Sequence, residues 1–406
     1  MKLLLSITKG PHEGKVFSFD GRDTFLVGRV KDAHFKLSYD DPYFSRRHFL
    51  LEVNPPRCRL MDFQSRNGTF VNGEKVSVAE IKDGDVIQAG HTIFEVKLEE
   101  PDPEQQLTLG ITEKVIVADT EPFQPKEENS EVQTIGGYEI IREIGRGGMG
   151  VVYEVRRLRD NARMALKTIM PALGASEKHI KKFVRETEIL EKLQHPNIIK
   201  FQEVGYEGEM VFLAMDLVTG PDVGHLLAEK GALSVRTGVR IMCQMLAGLQ
   251  HAHEQGFVHR DIKPGNMLIH SENGKKTTKL ADFGLARAYE SSQLSGLTMQ
   301  GEVGGTPAFL PPEQITHYRT VRPAADQYSA AATLYTLLTQ RFVYDLPSGI
   351  PQQLIHISLE DPIHICDRRN DIPRGLADVI HKALKREPSE RYADVKEFRT
   401  ALLAFA

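Results

Sequence analysis

His259-Arg260-Asp261-Ile262-Lys263-Pro264-Gly265-Asn266 sets a carboxylate, an ammonium and an amide within eight consecutive residues, and Asp282-Phe283-Gly284 adds a second carboxylate sixteen residues after Asn266. The set suits phosphoryl transfer. Asp261 can orient a hydroxyl and take its proton, Lys263 can steady the migrating phosphate, and Asn266 and Asp282 offer oxygens to a divalent metal. Upstream, Gly145-Arg146-Gly147-Gly148-Met149-Gly150-Val151-Val152 removes β-carbons where a strand-turn-strand would pass close over phosphate oxygens. Such a glycine pattern alone also marks dinucleotide sites and ordinary turns. Here no helix plainly follows it, and Met164-Ala165-Leu166-Lys167 does, whose ammonium is of the type that neutralises phosphates. Lys167 needs a carboxylate to hold it in place, and Glu186 and Glu188 both lie on the next helical segment.

A second constellation precedes the first: Gly28-Arg29, Ser45-Arg46-Arg47-His48 and Ser65-Arg66-Asn67-Gly68-Thr69. It gathers guanidinium groups, a hydroxyl and an amide on loops, the donors that a phosphate and a peptide backbone require. His48 reads as a satisfied structural histidine and the glycines as turn formers.

These groups need two different scaffolds. From Leu3 to Leu98 the apolar residues alternate or come in short β-branched and aromatic runs, among them Val16–Phe19, Phe49–Val53, Thr69–Val71 and Thr92–Val96. Asn67-Gly68, Asn72-Gly73 and Asp83-Gly84 separate such runs, so residues 1–100 are expected to form an all-β sandwich. Residues 101–137 hold Pro101, Pro103, Pro122 and Pro125 among many glutamates, and read as an acidic flexible linker. From Tyr138 the pattern is strand-like, then helical after Ser176. His179–Leu193, Val235–His253, Ala324–Leu338 and Leu376–Leu384 are expected helices, giving residues 138–406 a bilobal α+β organisation with the strands first.

Length and charge narrow the partners. A chain of 406 residues suits two or three cores, and a net charge of −4 supplies no broad basic field for nucleic acid. Cys58, Cys243 and Cys366 show neither paired nor C-x-x-C spacing, which points to reduced thiols in a cytoplasmic protein rather than a disulfide framework or a zinc site. Met1-Lys2-Leu3-Leu4-Leu5 reads as a first strand, and no run reaches the roughly 18–20 apolar residues of a membrane span.

With these residues in view, 138–406 resembles a eukaryotic-type serine/threonine protein kinase domain. Gly147–Tyr153 and Pro312-Glu313-Gln314 are worded as in kinases of the bacterial type. The resemblance implies ATP with Mg²⁺ or Mn²⁺ as cofactors. It places the nucleotide against Ile144, Gly145, Arg146, Gly147, Gly148, Met149, Gly150, Val151 and Val152, with Lys167, Asp216 and Val218. It selects Glu186 as the partner of Lys167, because this residue lies nine positions before His195-Pro196-Asn197. Lys263 and Thr306 favour Ser/Thr specificity, with Thr306 near Asp261. Asp326 resembles the buried aspartate that braces the catalytic loop, and Arg391 the arginine that pairs with Glu313. Arg260 resembles the arginine that meets a phosphate on the following segment, where Ser291, Ser292, Ser295 and Thr298 are candidate phosphosites. Pro311-Pro312-Glu313 in place of Ala-Pro-Glu, Tyr328 in place of a frequent Trp, and Asp216 in place of a frequent Glu remove no charge that transfer needs.

Residues 1–100 resemble the forkhead-associated (FHA) domain. That resemblance implies phosphothreonine binding through Arg29, Ser45 and Asn67, with Arg46 or Arg47 adding charge. The expected whole is a kinase that recruits phosphothreonine substrates or binds threonines it has phosphorylated in its own linker or activation loop. A linker of this length has a root-mean-square span of roughly 30–35 Å, enough for contact within one molecule. A catalytically silent scaffold that binds phosphopeptides is the competing expectation, and a small-molecule kinase the third. The intact Lys167, Asp261 and Asp282 weigh against silence.

Overall fold

A computed structural model describes residues 2–20, 23–30, 33–37, 41–54, 57–99, 133–147, 150–169, 187, 189–208, 210–283, 307–317 and 320–406. The chain divides into two compact units, Met1–Val132 and Gln133–Ala406.

In the first unit, strand β1 (Lys2–Lys9) buries Leu3, Leu5 and Ile7 and turns the residues between them outward, the alternation of a half-buried strand. It pairs with β2 (Val16–Asp20) on one side and β11 (Thr92–Glu99) on the other. The sheet continues through β10 (Val86–Ala89) and β7 (Thr69–Val71) to β8 (Glu74–Val76). A second sheet runs β4 (Phe35–Lys36), β3 (Asp23–Gly28), β5 (Arg47–Asn54), β6 (Arg57–Asp62) and β9 (Val78–Ile81). Phe49, Leu51 and Val53 of β5 join Leu3, Leu5, Phe44 and Phe94 in one core, as expected for a sandwich. Asn72 and Gly73 join β7 to β8 with φ of 52° and 86°, the paired left-handed geometry of a tight hairpin turn.

In the second unit an antiparallel sheet runs β12 (Thr134–Ile135), β13 (Tyr138–Gly147), β14 (Gly150–Arg157), β15 (Arg163–Ile169), β17 (Met210–Asp216) and β16 (Phe201–Glu207). The expected linker end at residue 137 therefore moves back. Ile135 pairs with Tyr138 and is buried with it against Phe212 and Val155, apolar contact that draws this short segment into the sheet. Of the helix expected over 179–193, the described part is Thr187, a 3₁₀ turn at Ile189–Lys192 and the buried Leu193 beyond it; Ile180 and Phe183 lie outside the described residues.

The helices that follow are α1 (Val223–Lys230), α2 (Val235–Glu254), α3 (Pro312–Thr316), α4 (Ala324–Thr339), α5 (Ile350–Leu359), α6 (Ile365–Arg368), α7 (Arg374–Ala383) and α8 (Val395–Leu403). Ser234 caps α2 through its hydroxyl, and Val239, Met242, Leu246 and Leu249 form the buried stripe of that helix. Helix α4 is buried nearly all round, which its four buried alanines allow by letting neighbours approach closely. Between α2 and α3 a hairpin of β18 (Met267–Glu272) and β19 (Lys275–Leu280) carries the 259–283 loops.

Candidate active site and phosphate-reading loops

Lys167 sits in the middle of β15, opposite Val152 of β14 and Leu213 of β17, so three strands fix its backbone. Its ammonium meets Oδ1 of Asp282 at 2.9 Å. The carboxylate beside Lys167 is thus Asp282; Glu186 lies outside the described residues, as do Glu188, Gly148, Met149 and Thr306. Burial alone would raise the Asp282 carboxyl, but the Lys167 charge and hydrogen bond, helped by His259 and Lys263, hold it below its ordinary value.

Asp261 lies in the loop that β18 extends. Lys263 Nζ approaches its Oδ2 at 2.9 Å, and Asn266 Nδ2 donates to both its Oδ2 (2.9 Å) and its carbonyl (2.8 Å). With the Asn266 amide turned that way, its Oδ1 is the atom left for a cation. The Ala281 N–H donates to the Asn266 carbonyl at 2.9 Å and fastens the Asp282 segment to this loop. Lys167, Asp282, Asn266, Asp261 and Lys263 therefore form one connected polar chain.

Two members of this region occupy left-handed backbone that side chains disfavour: Arg260 at φ 68° and Asp282 at φ 59°. Arg260 is held there because its N–H donates to Asp326 Oδ1 (2.8 Å) and its carbonyl accepts from Gln314 Nε2 (2.8 Å). His259 donates its N–H to Asp326 Oδ2 at 2.8 Å, packs against the Phe283 ring at 4.7 Å, and bonds the Ala281 carbonyl through Nε2. Glu313 pairs with Arg391 through two bonds of 2.6 and 2.8 Å. His253, Gln314 and the direct Lys167–Asp282 contact carry no spacing signal in the chain.

Among the nucleotide-facing candidates, Ile144, Gly145, Arg146, Gly147, Gly150, Val151 and Val152 lie along the β13–β14 hairpin. A β-carbon on Gly150 would stand 1.8 Å from the Thr168 carbonyl oxygen, so the fold requires that glycine. One on Gly145 would meet nothing closer than Val152 Cβ at 3.9 Å. The fold itself therefore places no steric demand for glycine at position 145. Arg146 is engaged by Glu143, and Asp216, at the end of β17 ahead of Val218, accepts from Gln202. The donor set also fits a phosphate-bound metal. Among the described residues no three His, Cys, Asp or Glu groups converge, so a cation here would have one carboxylate and one amide oxygen and would need phosphate oxygens to complete its shell. Ser291, Ser292, Ser295 and Thr298 lie outside the described residues.

In the first unit, Arg29 follows the end of β3, and the N–H groups of Arg29 and Val30 both donate to the Arg46 carbonyl, at 2.7 and 3.1 Å. A β-carbon on Gly28 would lie 2.1 Å from that oxygen, which is why a glycine precedes Arg29. Ser45 Oγ accepts from the Arg66 N–H at 2.9 Å, and Asn67 Nδ2 donates to the Tyr43 carbonyl at 2.7 Å. Arg29, Ser45, Arg46 and Asn67 are thus brought onto adjoining loops. The 65–69 loop is shaped from below by Asp62, which accepts from the Ser65 and Thr69 hydroxyls and the Ser65 N–H. Arg47 opens β5, opposite Gly28.

His48 is fully buried. Its Nδ1 accepts from the Ser45 N–H at 2.9 Å and its Nε2 donates to the Gly68 carbonyl at 3.2 Å, so it ties both loops together only in the neutral Nε2–H tautomer. Burial chiefly holds it below its ordinary 6.5, although the Gly68 bond and Asp62 and Asp41 oppose that shift. As pH falls, the unfolded chain takes the proton first. The His48 contribution is therefore complete above about 6.5 and is lost as pH drops toward the lowered folded value. The unfolding midpoint of the first unit should fall between pH 7.5 and 5, with a shallower slope in His48→Gln; equal slopes would refute the assignment.

A family model described as protein kinase domain matches residues 138–401, and one described as FHA domain matches residues 25–90. The chain is 32% identical over 273 residues to the serine/threonine-protein kinase PkaA of Streptomyces coelicolor, covering 64% of this chain and 48% of that protein. It is 31% identical over 263 residues to PrkC of Bacillus subtilis, covering 64% of this chain and 39% of that protein. The chain thus matches about half or less of these curated relatives. The PknI kinase domain of Mycobacterium tuberculosis superposes with a TM-score of 0.54 at 28% identity, over 69% of this chain and all of that one. A structure of Rad53 1-466 in complex with AMP-PNP matches 99% of both chains with a TM-score of 0.55 at 21% identity, a likeness of fold. The kinase-type site and the loops around Ser45 and Asn67 belong to these two domains: the chain is a member of the protein kinase family with an FHA domain ahead of its kinase domain.

Proposed function

We propose that the chain is an ATP-dependent protein serine/threonine kinase whose FHA domain, within residues 1–100, binds phosphothreonine to recruit substrates or to regulate the enzyme. The observation that carries the reading is the connected polar chain from Lys167 through Asp282, Asn266 and Asp261 to Lys263. Members of the protein kinase family use ATP with a divalent metal, which supply the phosphoryl group and its counter-charge. On this reading Asn266 Oδ1 and the Asp282 carboxylate would hold Mg²⁺ or Mn²⁺. Lys167 meets phosphate oxygens, with Glu186 as its support in the nucleotide-bound enzyme, and the β13–β14 hairpin with Asp216 and Val218 encloses the nucleotide. Asp261 orients the substrate hydroxyl and takes its proton, while Lys263 neutralises charge beside it.

No described helix is long and apolar enough to cross a membrane. The three cysteines are free, which fits a reducing compartment, and we place the chain in the cytoplasm.

Incubation of purified wild type and Asp261→Asn with labelled ATP and Mg²⁺, followed by mass-spectrometric mapping, tests the enzyme. Label on Ser or Thr in the wild type alone is expected, with Ser291, Ser292, Ser295 and Thr298 as the sites to inspect first. Label in neither protein would favour a phosphopeptide-binding scaffold. Arg29→Ala should leave phosphorylation of a generic peptide intact and abolish phosphothreonine-peptide binding; unchanged affinity would sink the FHA assignment.

A further inference from the structure

Gly68 lies between Asn67 and Thr69 in the loop that faces Ser45. A β-carbon placed on it would sit 2.5 Å from Cε and 3.1 Å from Nζ of Lys75. The tight Asn72-Gly73 turn returns β8 along β7, with Lys75 opposite Phe70, and so lays this ammonium across the loop. Its neighbour Glu74 points to the other face of the hairpin by strand alternation. Arg66, one residue before Asn67, is exposed and gives its backbone N–H to Ser45. Elsewhere on this unit several cations have carboxylates: Arg59 meets Glu52, Arg57 meets Glu80 and Lys97 meets Glu99. Among the described residues, no carboxylate pairs with the Arg66 or Lys75 side chain.

We infer that Arg66 and Lys75 select phosphothreonine peptides with a carboxylate immediately beside the phosphothreonine. The inference rests on the FHA reading and deepens it by adding a second, acidic determinant to the ligand. Two cations left unpaired next to Ser45 and Asn67 form a surface that is complementary only to an anionic peptide, beyond the single phosphate that Arg29 and Ser45 would take. The chain itself holds such sequences, Thr112-Glu113 and Asp119-Thr120-Glu121. They provide the probe.

The experiment uses the full-length Asp261→Asn chain, verified by mass spectrometry to carry no phosphate, and a synthetic peptide of residues 114–126 phosphorylated on Thr120. A second phosphopeptide carries alanine in place of Asp119 and Glu121. The natural flanks should bind about fivefold more tightly at low ionic strength, the scale of one or two exposed charge pairs, and the ratio should shrink as salt rises. Adding Arg66→Ala and Lys75→Ala should bring the ratio close to one while leaving the alanine-flanked peptide within about twofold of its original affinity, because the Arg66 N–H contact to Ser45 survives substitution. Lys75→Glu should reverse the preference toward a lysine-flanked peptide. A ratio near one in the unaltered surface, or one that persists in the double variant, overturns the inference. If phosphorylation itself makes no difference to binding, the phosphothreonine reading fails and takes this inference with it; if phosphate matters and the flanks do not, only the inference falls.

Discussion

Asp326→Asn is expected to cost the kinase unit about 3 kcal/mol of stability and to slow phosphoryl transfer about a hundredfold. The Asp326 side chain is fully buried in α4, where Oδ2 accepts from His253 Nε2 and the His259 N–H and Oδ1 accepts from the Arg260 N–H, each at 2.8 Å. Three donors converge on two acceptor oxygens. Asparagine supplies one oxygen, and its NH₂ must face an N–H in the interior, which leaves buried donors unmet. Burial by itself raises the Asp326 carboxyl, yet the His253 bond, with His253 and His259 charge, holds it below its ordinary 3.8. The ionised form is therefore what the fold holds. Its contribution is complete above about pH 3.8 and is lost as pH falls through the lower folded value.

The kinetic loss follows from geometry. Asp326 holds Arg260 in its left-handed conformation and so sets the direction in which Asp261 leaves the loop. His259 passes the same constraint to Ala281 and Phe283, next to Asp282. Urea unfolding and single-turnover transfer rates check both halves. A stability within about 1 kcal/mol of wild type, or an unchanged transfer rate, would show that the catalytic loop is held by something else.

Much of this site is readable along the chain because the chemistry needs close neighbours. Asp261, Lys263 and Asn266 act from one loop, and their spacing survives folding unchanged. The same holds for Ser45 to His48, and the alternation of Leu3, Leu5 and Ile7 exposes β1 as a half-buried strand. What escapes a linear reading is partnership across the fold. His253 lies 73 residues from Asp326 and Lys167 lies 115 from Asp282; neither pair has a period or local spacing to reveal it. Asp326 and Arg391 stood out only through the family resemblance, since an aspartate in a helix and an arginine in a loop look alike whether buried or solvated. Asp62 and Lys75 show the same limit in the FHA domain, where one strand ends beneath the 65–69 loop and another returns across it. The two-residue β12 is too short to show alternation, so Ile135 reads as linker until Tyr138 and Phe212 are seen to cover it.

Arg391→Met should destabilise the kinase unit by about 3–5 kcal/mol, the cost of stranding one member of a buried ion pair. The Arg391 side chain has no exposed surface, and its guanidinium makes two bonds to Glu313 besides bonds to the carbonyls of Ala324 (2.7 Å), Lys385 (2.8 Å) and Arg386 (3.0 Å). It also lies 5.3 Å from the Tyr328 ring, so the Tyr that stands where a Trp is frequent still offers an aromatic face to the cation. Methionine fills much of the volume but leaves Glu313 without its counter-charge and removes the guanidinium bonds to three carbonyls. Glu313→Gln keeps the carbonyl contacts and should cost less, about 2–3 kcal/mol, because a buried guanidinium loses its counter-charge. The double variant Glu313→Leu with Arg391→Met should be more stable than Arg391→Met alone, since no charge is then buried unpaired. Activity should not follow that recovery. Gln314, next to Glu313, holds the Arg260 carbonyl, and a leucine at 313 gives α3 no polar anchor to fix that reach. Denaturation of the three variants beside their phosphotransfer rates separates the two roles. A double variant as unstable as Arg391→Met would mean that the carbonyl contacts, rather than the ion pair, hold this corner of the domain.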